Sequence, residues 1–155
     1  MSTESIVCNK DFIDVRGPRY AGAITFTVIA IALIANPSIL TSLLVAWQAI
    51  VFAIGAFIGV HVQPYGVLYR KLIQPRLGPV KDRESTKPPR FAQLVGFIFA
   101  VVALVGVVAQ VPVLTTVALA LALAASFLQS AFGFCLGCEM YLLGRRALAR
   151  TSLRT

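Results

Sequence analysis

A chain of 155 residues that is 58% apolar and 13% charged carries about half the charged share of a soluble domain, roughly 25%. A soluble protein of this size could not bury so much apolar surface, so the composition excludes a soluble enzyme or binding module and requires an integral membrane protein, read here as one membrane domain over residues 1–155. The net charge of +8 does not signal nucleic acid, because all fourteen Lys and Arg residues flank apolar runs and no polar surface remains on which to build a groove.

Lys10, Arg16 and Arg19 precede the first apolar run, 20–35. That run is short, and basic residues before a short apolar stretch also describe a signal peptide. The repeat described next argues that it is retained. A break at Asn36-Pro37-Ser38 leads into the second run, 39–60. The third and fourth runs, 91–111 and 113–134, are separated by Gln110-Val111-Pro112. About 20 residues span a hydrocarbon core of about 30 Å, which the last three runs satisfy. PRYA at 18–21 recurs as PRFA at 89–92, each opening an apolar run that reaches a proline break and a second run. Trp47-Gln48-Ala49 has a loose echo in Leu128-Gln129-Ser130. The predicted fold is therefore an all-α four-transmembrane-helix bundle, made from one helical hairpin used twice, with interfacial segments on the cytoplasmic side.

The segment before the first run, the 61–90 loop and the tail 135–155 hold three, seven and four basic residues, and the two proline turns hold none. Positive charge is retained on the cytoplasmic side. Both termini and the loop are therefore expected there. Residues 65–77 interleave Tyr65, Leu68, Tyr69 and Leu72 with Arg70, Lys71 and Arg76, which reads as a segment in the headgroup layer with its tyrosines at the interface. Arg145 and Arg146 give the tail the same character. Anionic lipid headgroups are the expected partner of these charges. The scaffold reading of the chain takes the same loop and tail as surfaces for assembly.

No Asp, Glu, Lys, Arg or His interrupts the four runs, which disfavours an ion pump or proton-coupled carrier, since these need an ionisable group at membrane depth. Gln48 and Gln129 are expected to hydrogen-bond across the bundle. Gly55 and Gly59 form a GxxxG, and Ser126, Ser130, Gly133 and Gly137 fall on one stripe of a continuing helix. Both read as contact faces where helices approach closely.

Where the fourth run gives way to arginines stands GFCLGCE, with Cys135 and Cys138 three apart and Glu139 beside them. Counting from Val113 puts both cysteines at the cytoplasmic interface, and the spacing puts them on one helical face. Three readings stay open. The pair can exchange between dithiol and disulfide, with Cys135 attacking because the Glu139 carboxylate raises the pKa of Cys138. It can contribute to a metal site, for which Cys135, Cys138 and Glu139 would need His61 or Cys8 as a fourth ligand. It can also be small apolar packing, in a non-enzymatic scaffold or assembly subunit.

D-x-R-G-P-R-Y at 14–20, P-P-R-F-A-Q at 88–93 and F-G-F-C-L-G-C-E-M-Y-L-L at 132–143 together resemble a bacterial membrane family catalogued as a domain of unknown function, number forty-three ninety-five. PYGVLYRKLIQPRLGP at 64–79 is similar to it as well. The family carries no assigned activity, and the cofactor, if one is used, is unknown from the sequence. The association of its members with thioredoxin-like and sulfurtransferase genes implies thiol or sulfur chemistry, with a cytosolic partner of that kind.

Overall fold

The computed structural model describes residues 12–80 and 82–152; Cys8 lies outside them. A three-residue strand β1 (Phe12–Asp14) leads into α1 (Arg16–Ile34), and α2 (Ile39–Ala53) runs on through a π-helical turn, Ile54–Ile58. The 61–80 loop is largely helical: α3 (Pro64–Leu68), a π turn (Tyr69–Ile73) and α4 (Gln74–Leu77). Strand β2 (Arg83–Ser85) precedes α5 (Lys87–Val108) and α6 (Pro112–Phe132), and α7 (Leu136–Ser152) completes the described chain. Four helical stretches of 19 to 22 residues are long and apolar enough to cross a membrane. Leu43, Ile50, Ile98, Val105 and Val117 face outward, as lipid-facing residues must. The protein is an all-α membrane bundle.

The spans begin earlier than the apolar runs, at Arg16 and Lys87, because each helix is started by a polar side chain two residues before it. The Arg16 N–H donates to Asp14 Oδ1 at 3.1 Å and the Lys87 N–H to Ser85 Oγ at 3.4 Å. Such local turns occupy a donor that the first helical turn leaves free. Prolines sit in the first turns of α3, α5 and α6, where a missing N–H is harmless.

The two hairpins match at atomic detail. Pro18 and Pro89 stand seventy-one positions apart, and so do Ala32 and Ala103. Thr41 Oγ1 donates to the Ala32 carbonyl at 3.0 Å, and Thr115 Oγ1 donates to that of Ala103 at 3.3 Å. All four residues are almost fully buried. The two arginines of the repeated motif do matching work at the other end of the bundle. Arg19 Nη2 reaches the Ala131 carbonyl at 3.4 Å, and Arg90 Nη2 reaches that of Phe57 at 3.2 Å. Each guanidinium thus caps the C-terminus of the other hairpin's second helix, where orphan carbonyls and the helix dipole favour a cation. The antiparallel ribbon of β1 and β2 pairs Phe12 with Ser85, Ile13 with Glu84 and Asp14 with Arg83, a register centred on one repeat-equivalent pair.

The hairpins pack crosswise, α1 against α6 and α2 against α5. The core is rich in small side chains, Ala32, Ala103, Ala118 and Ala122 beside Ile29, Val45 and Leu119, so the helices approach closely. One contact is reciprocally exchanged between the halves. Gly22 of α1 lies under the Gln129 side chain of α6, and Gly55, at the end of α2, lies under the Gln93 side chain of α5. A Cβ at either glycine would sit 2.8 Å from the glutamine Cγ.

Four sequence expectations are corrected. Gln48 does not meet Gln129: its Oε1 accepts from the Tyr65 hydroxyl at 3.1 Å and its Nε2 donates to Thr25 Oγ1 at 3.4 Å. Tyr65 and Tyr69 leave the interface for the interior. Their hydroxyls serve Gln48 and, at 2.9 Å, Asp14 Oδ2, while Arg70, Lys71 and Arg76 stay exposed. Of the GxxxG pair only Gly55 makes a close helix contact; Gly59, at φ +151°, turns the chain out of the π turn. The stripe from Ser126 to Gly137 is broken, because α6 stops at Phe132 and Gly133 takes a left-handed φ of +67°.

Candidate functional site

That left-handed glycine determines the geometry of the cysteines. Residues 133–135 are not helical, and α7 starts afresh at Leu136. The pair therefore does not lie on one face of a continuing helix, as its spacing suggested. Cys135 stands at the N-cap of α7 and Cys138 in its first turn. The Cys135 carbonyl accepts the Glu139 N–H at 3.0 Å, and its sulfur accepts the Cys138 N–H at 3.3 Å. A sulfur takes the place of the hydroxyl or carboxylate oxygen that usually caps a helix.

The first turn of α7 is held against α5 by Gly137, which leaves no room for a larger residue: a Cβ there would lie 2.5 Å from Ala92 Cα. The Phe91 and Tyr141 rings meet at 5.9 Å beside it. Cys138 is consequently buried and Cys135 half-buried, and both are free thiols. The two sulfurs are unequal. The Cys135 thiol is pushed down, first by the hydrogen bond that Cys138 donates to it, with the Cys138 backbone N–H adding to the effect. The Cys138 thiol is pushed up by giving that hydrogen bond and by burial, and the carboxylates of Glu84 and Glu139 raise it further. A thiolate at a helix N-terminus with a protonated partner three residues on is the charge distribution that dithiol exchange uses.

Glu84 was not singled out from the sequence. The ribbon brings it to the thiols from fifty positions away, and nothing in R-E-S at 83–85 announces a strand. Its carboxylate disfavours ionisation of both cysteines. Glu139 is exposed, so the expectation that it raises the Cys138 pKa holds as a minor effect, behind the sulfur–sulfur hydrogen bond and burial.

The pair opens onto a cavity of about 980 Å³ between the two hairpins, at the end of the bundle that carries the ribbon. Thr25, Phe52, Phe99 and Ala122 line its floor, near the middle of the four spans. Gln63, Gln93, Gln129 and His61 line its sides. His61 therefore shares a cavity with the cysteines, yet among the described residues no His, Cys, Asp and Glu side chains gather into a metal-binding group. Arg145 and Arg146 lie exposed further along α7, away from the sulfurs. Of the residues the sequence marked, the structure thus gathers Cys135, Cys138, Glu139, His61 and Gln129 around one cavity and leaves Gln48 deeper in the core.

No curated protein and no solved structure matches the chain. A family model does, over residues 13–146, from the start of the ribbon through the basic turn of α7. It covers both hairpins and the cysteine pair, and the chain therefore belongs to the family described as domain of unknown function DUF4395.

Proposed function

We propose that this membrane protein is a thiol–disulfide or sulfur-transfer partner, with Cys135 as the attacking sulfur and Cys138 as the resolving one. The observation that carries the reading is the 3.3 Å capping contact of the Cys135 sulfur with the Cys138 N–H on the wall of a large cavity. An incoming disulfide or persulfide meets Cys135 first, because Cys138 is buried behind it. The Cys135 thiolate forms a mixed disulfide and expels the partner's thiolate. Cys138 then attacks Cys135, gives up its proton, closes the intramolecular disulfide and releases the second partner thiolate, or hydrosulfide where Cys135 has instead taken the outer sulfur of a persulfide. Glu84, near both sulfurs, is the carboxylate suited to receive that proton.

The site faces the cytosol in this reading, with both termini cytoplasmic in a bacterial inner membrane, because every basic segment gathers at the ribbon end. A thioredoxin-like or sulfurtransferase protein is the matching partner. Arg70, Lys71, Arg76, Arg145 and Arg146, all exposed, would hold the loop and tail to anionic headgroups at about 1 kcal/mol each.

The test is mixed-disulfide trapping. With the resolving sulfur gone, Cys138→Ser accumulates an adduct with a cytosolic protein or small thiol that reductant removes, whereas Cys135→Ser does not. Equal behaviour of the two variants with wild-type function in cells would return the cysteines to packing and favour the scaffold reading.

A further inference from the structure

The cavity beside the cysteines is more than an approach route for a partner's sulfur. It extends from the ribbon end to Thr25, Phe52 and Phe99, half-way along the spans, far deeper than a peptide thiol needs to reach. Its walls are mostly apolar, and its volume, about 980 Å³, lies at the upper end of small-molecule sites. Two side-chain amides of the second hairpin, one from each of its helices, line it. Gln93 Oε1 accepts from Gln63 at 2.8 Å, which leaves the Gln93 NH2 as a donor. Gln129 lies near the C-terminal end of α6, and its amide has no hydrogen-bond partner among the described residues. Partly exposed on the cavity wall and unengaged by protein, that amide can donate to a ligand that accepts hydrogen bonds.

We infer that the cavity binds a lipid-soluble quinone, with its ring carbonyls on the amides of Gln93 and Gln129 and its tail along Phe52 and Phe99, and that this quinone reoxidises the Cys135–Cys138 pair after a partner dithiol, in the exchange above run in reverse, has reduced it and become a disulfide. The ligand class follows from three requirements. It must partition into the apolar interior, offer carbonyl acceptors to two amide donors, and take electrons in pairs from two adjacent thiols. The step balances with one proton from solvent. The Cys135 thiolate and the Cys138 thiol lose two electrons and form one S–S bond. The quinone takes both electrons, the Cys138 proton and the solvent proton, and leaves as quinol. The electron-transfer half rests on the dithiol reading above; the binding half does not.

The experiment uses the full chain carrying Cys8→Ser, purified into phosphatidylcholine nanodiscs, with a short-tailed ubiquinone analogue as the probe under anaerobic conditions. Titration calorimetry reads binding, and thiol alkylation with quinol absorbance reads transfer. Saturable binding at one quinone per chain is expected, with two thiols lost per quinol formed. Gln129→Leu, which keeps the side chain over Gly22, should weaken binding about tenfold, the loss of one hydrogen bond. Ala125→Phe fills the cavity and should abolish binding, whereas Cys135→Ser with Cys138→Ser should bind normally and form no quinol. Should Ala125→Phe fail to fold, judged by helicity and elution, the Gln129→Leu arm decides. Absence of saturable binding, or binding untouched by Gln129→Leu, overturns the inference. A pair that cycles with oxidised glutathione but yields no quinol also overturns it, while leaving the dithiol function standing.

Discussion

The contrast between the two sulfurs predicts different pH behaviour for residues only three positions apart. Free cysteine ionises near pH 8.5. Because Cys135 is shifted down, its thiolate is present at lower pH, and its alkylation by iodoacetamide should rise with a midpoint below that of free cysteine. Cys138 is shifted up and should stay unreactive through that range. Glu84→Gln removes a carboxylate that opposes both thiolates, so the Cys135 midpoint should move to lower pH, and Glu84→Asp should restore most of it. A profile for Cys135 indistinguishable from free cysteine would remove the activation on which exchange depends. At this scale the sequence was partly legible. GFCLGCE named the right atoms, but helical spacing placed them on one face, and the glycine that breaks the helix was read as part of a packing stripe. Gly133 two residues before Cys135 is the legible stop signal, since a helix so commonly ends on a left-handed glycine.

Among the elements, α7 depends on one contact. Gly137→Ala drives a methyl group into the Ala92 backbone, which cannot yield as a flexible side chain would, so we expect a loss of about 1–3 kcal/mol and release of the first turn of α7. The readout is specific: Cys138 should become accessible to alkylation in native protein while the four spans stay inserted. Unchanged protection of Cys138 would mean that the turn is held by something else. The buried threonines form a second pair of tests. Thr41→Val and Thr115→Val each lose one hydrogen bond across a hairpin turn, about 1 kcal/mol in unfolding titrations, and the double variant should sum, because the two sites share no partner. The spans were readable because lipid demands long apolar runs. The ribbon was not, because three-residue strands offer no alternation to read. Extending the repeat back from Pro18 and Pro89 nevertheless aligns residues 12–14 with 83–85, the two strands that pair. The tyrosines of α3 and the adjoining π turn misled for a different reason. Their amphipathic rings suit an interface, but here their hydroxyls bond the buried Gln48 and the half-buried Asp14.

For the whole molecule, the ribbon, the α3–α4 segment and α7 gather at one end, and the two proline turns lie at the other, where Asn36 Nδ2 donates to Thr116 Oγ1 at 3.1 Å. A chain with one charged end and one uncharged end should insert in one orientation. In a variant without native cysteines, a cysteine placed at Ser38 is expected to react with a membrane-impermeant maleimide on intact cells, and one at Ser85 only after lysis. The reverse labelling would carry the thiol pair to the oxidising side of the membrane and change its partner from a cytosolic thiol to an exported one.

The exchanged contact between the hairpins also has a consequence for their ancestry. The first half contributes glycine at both of its positions, Gly22 and Gly55, and the second contributes glutamine at both, Gln93 and Gln129. Two copies of the first half, docked as the halves dock here, would face glycine with glycine and leave two holes. Two copies of the second would drive glutamine into glutamine. Each half fits its sibling and rejects its twin, so a fold whose geometry is that of a symmetric dimer has become a matched, non-interchangeable couple.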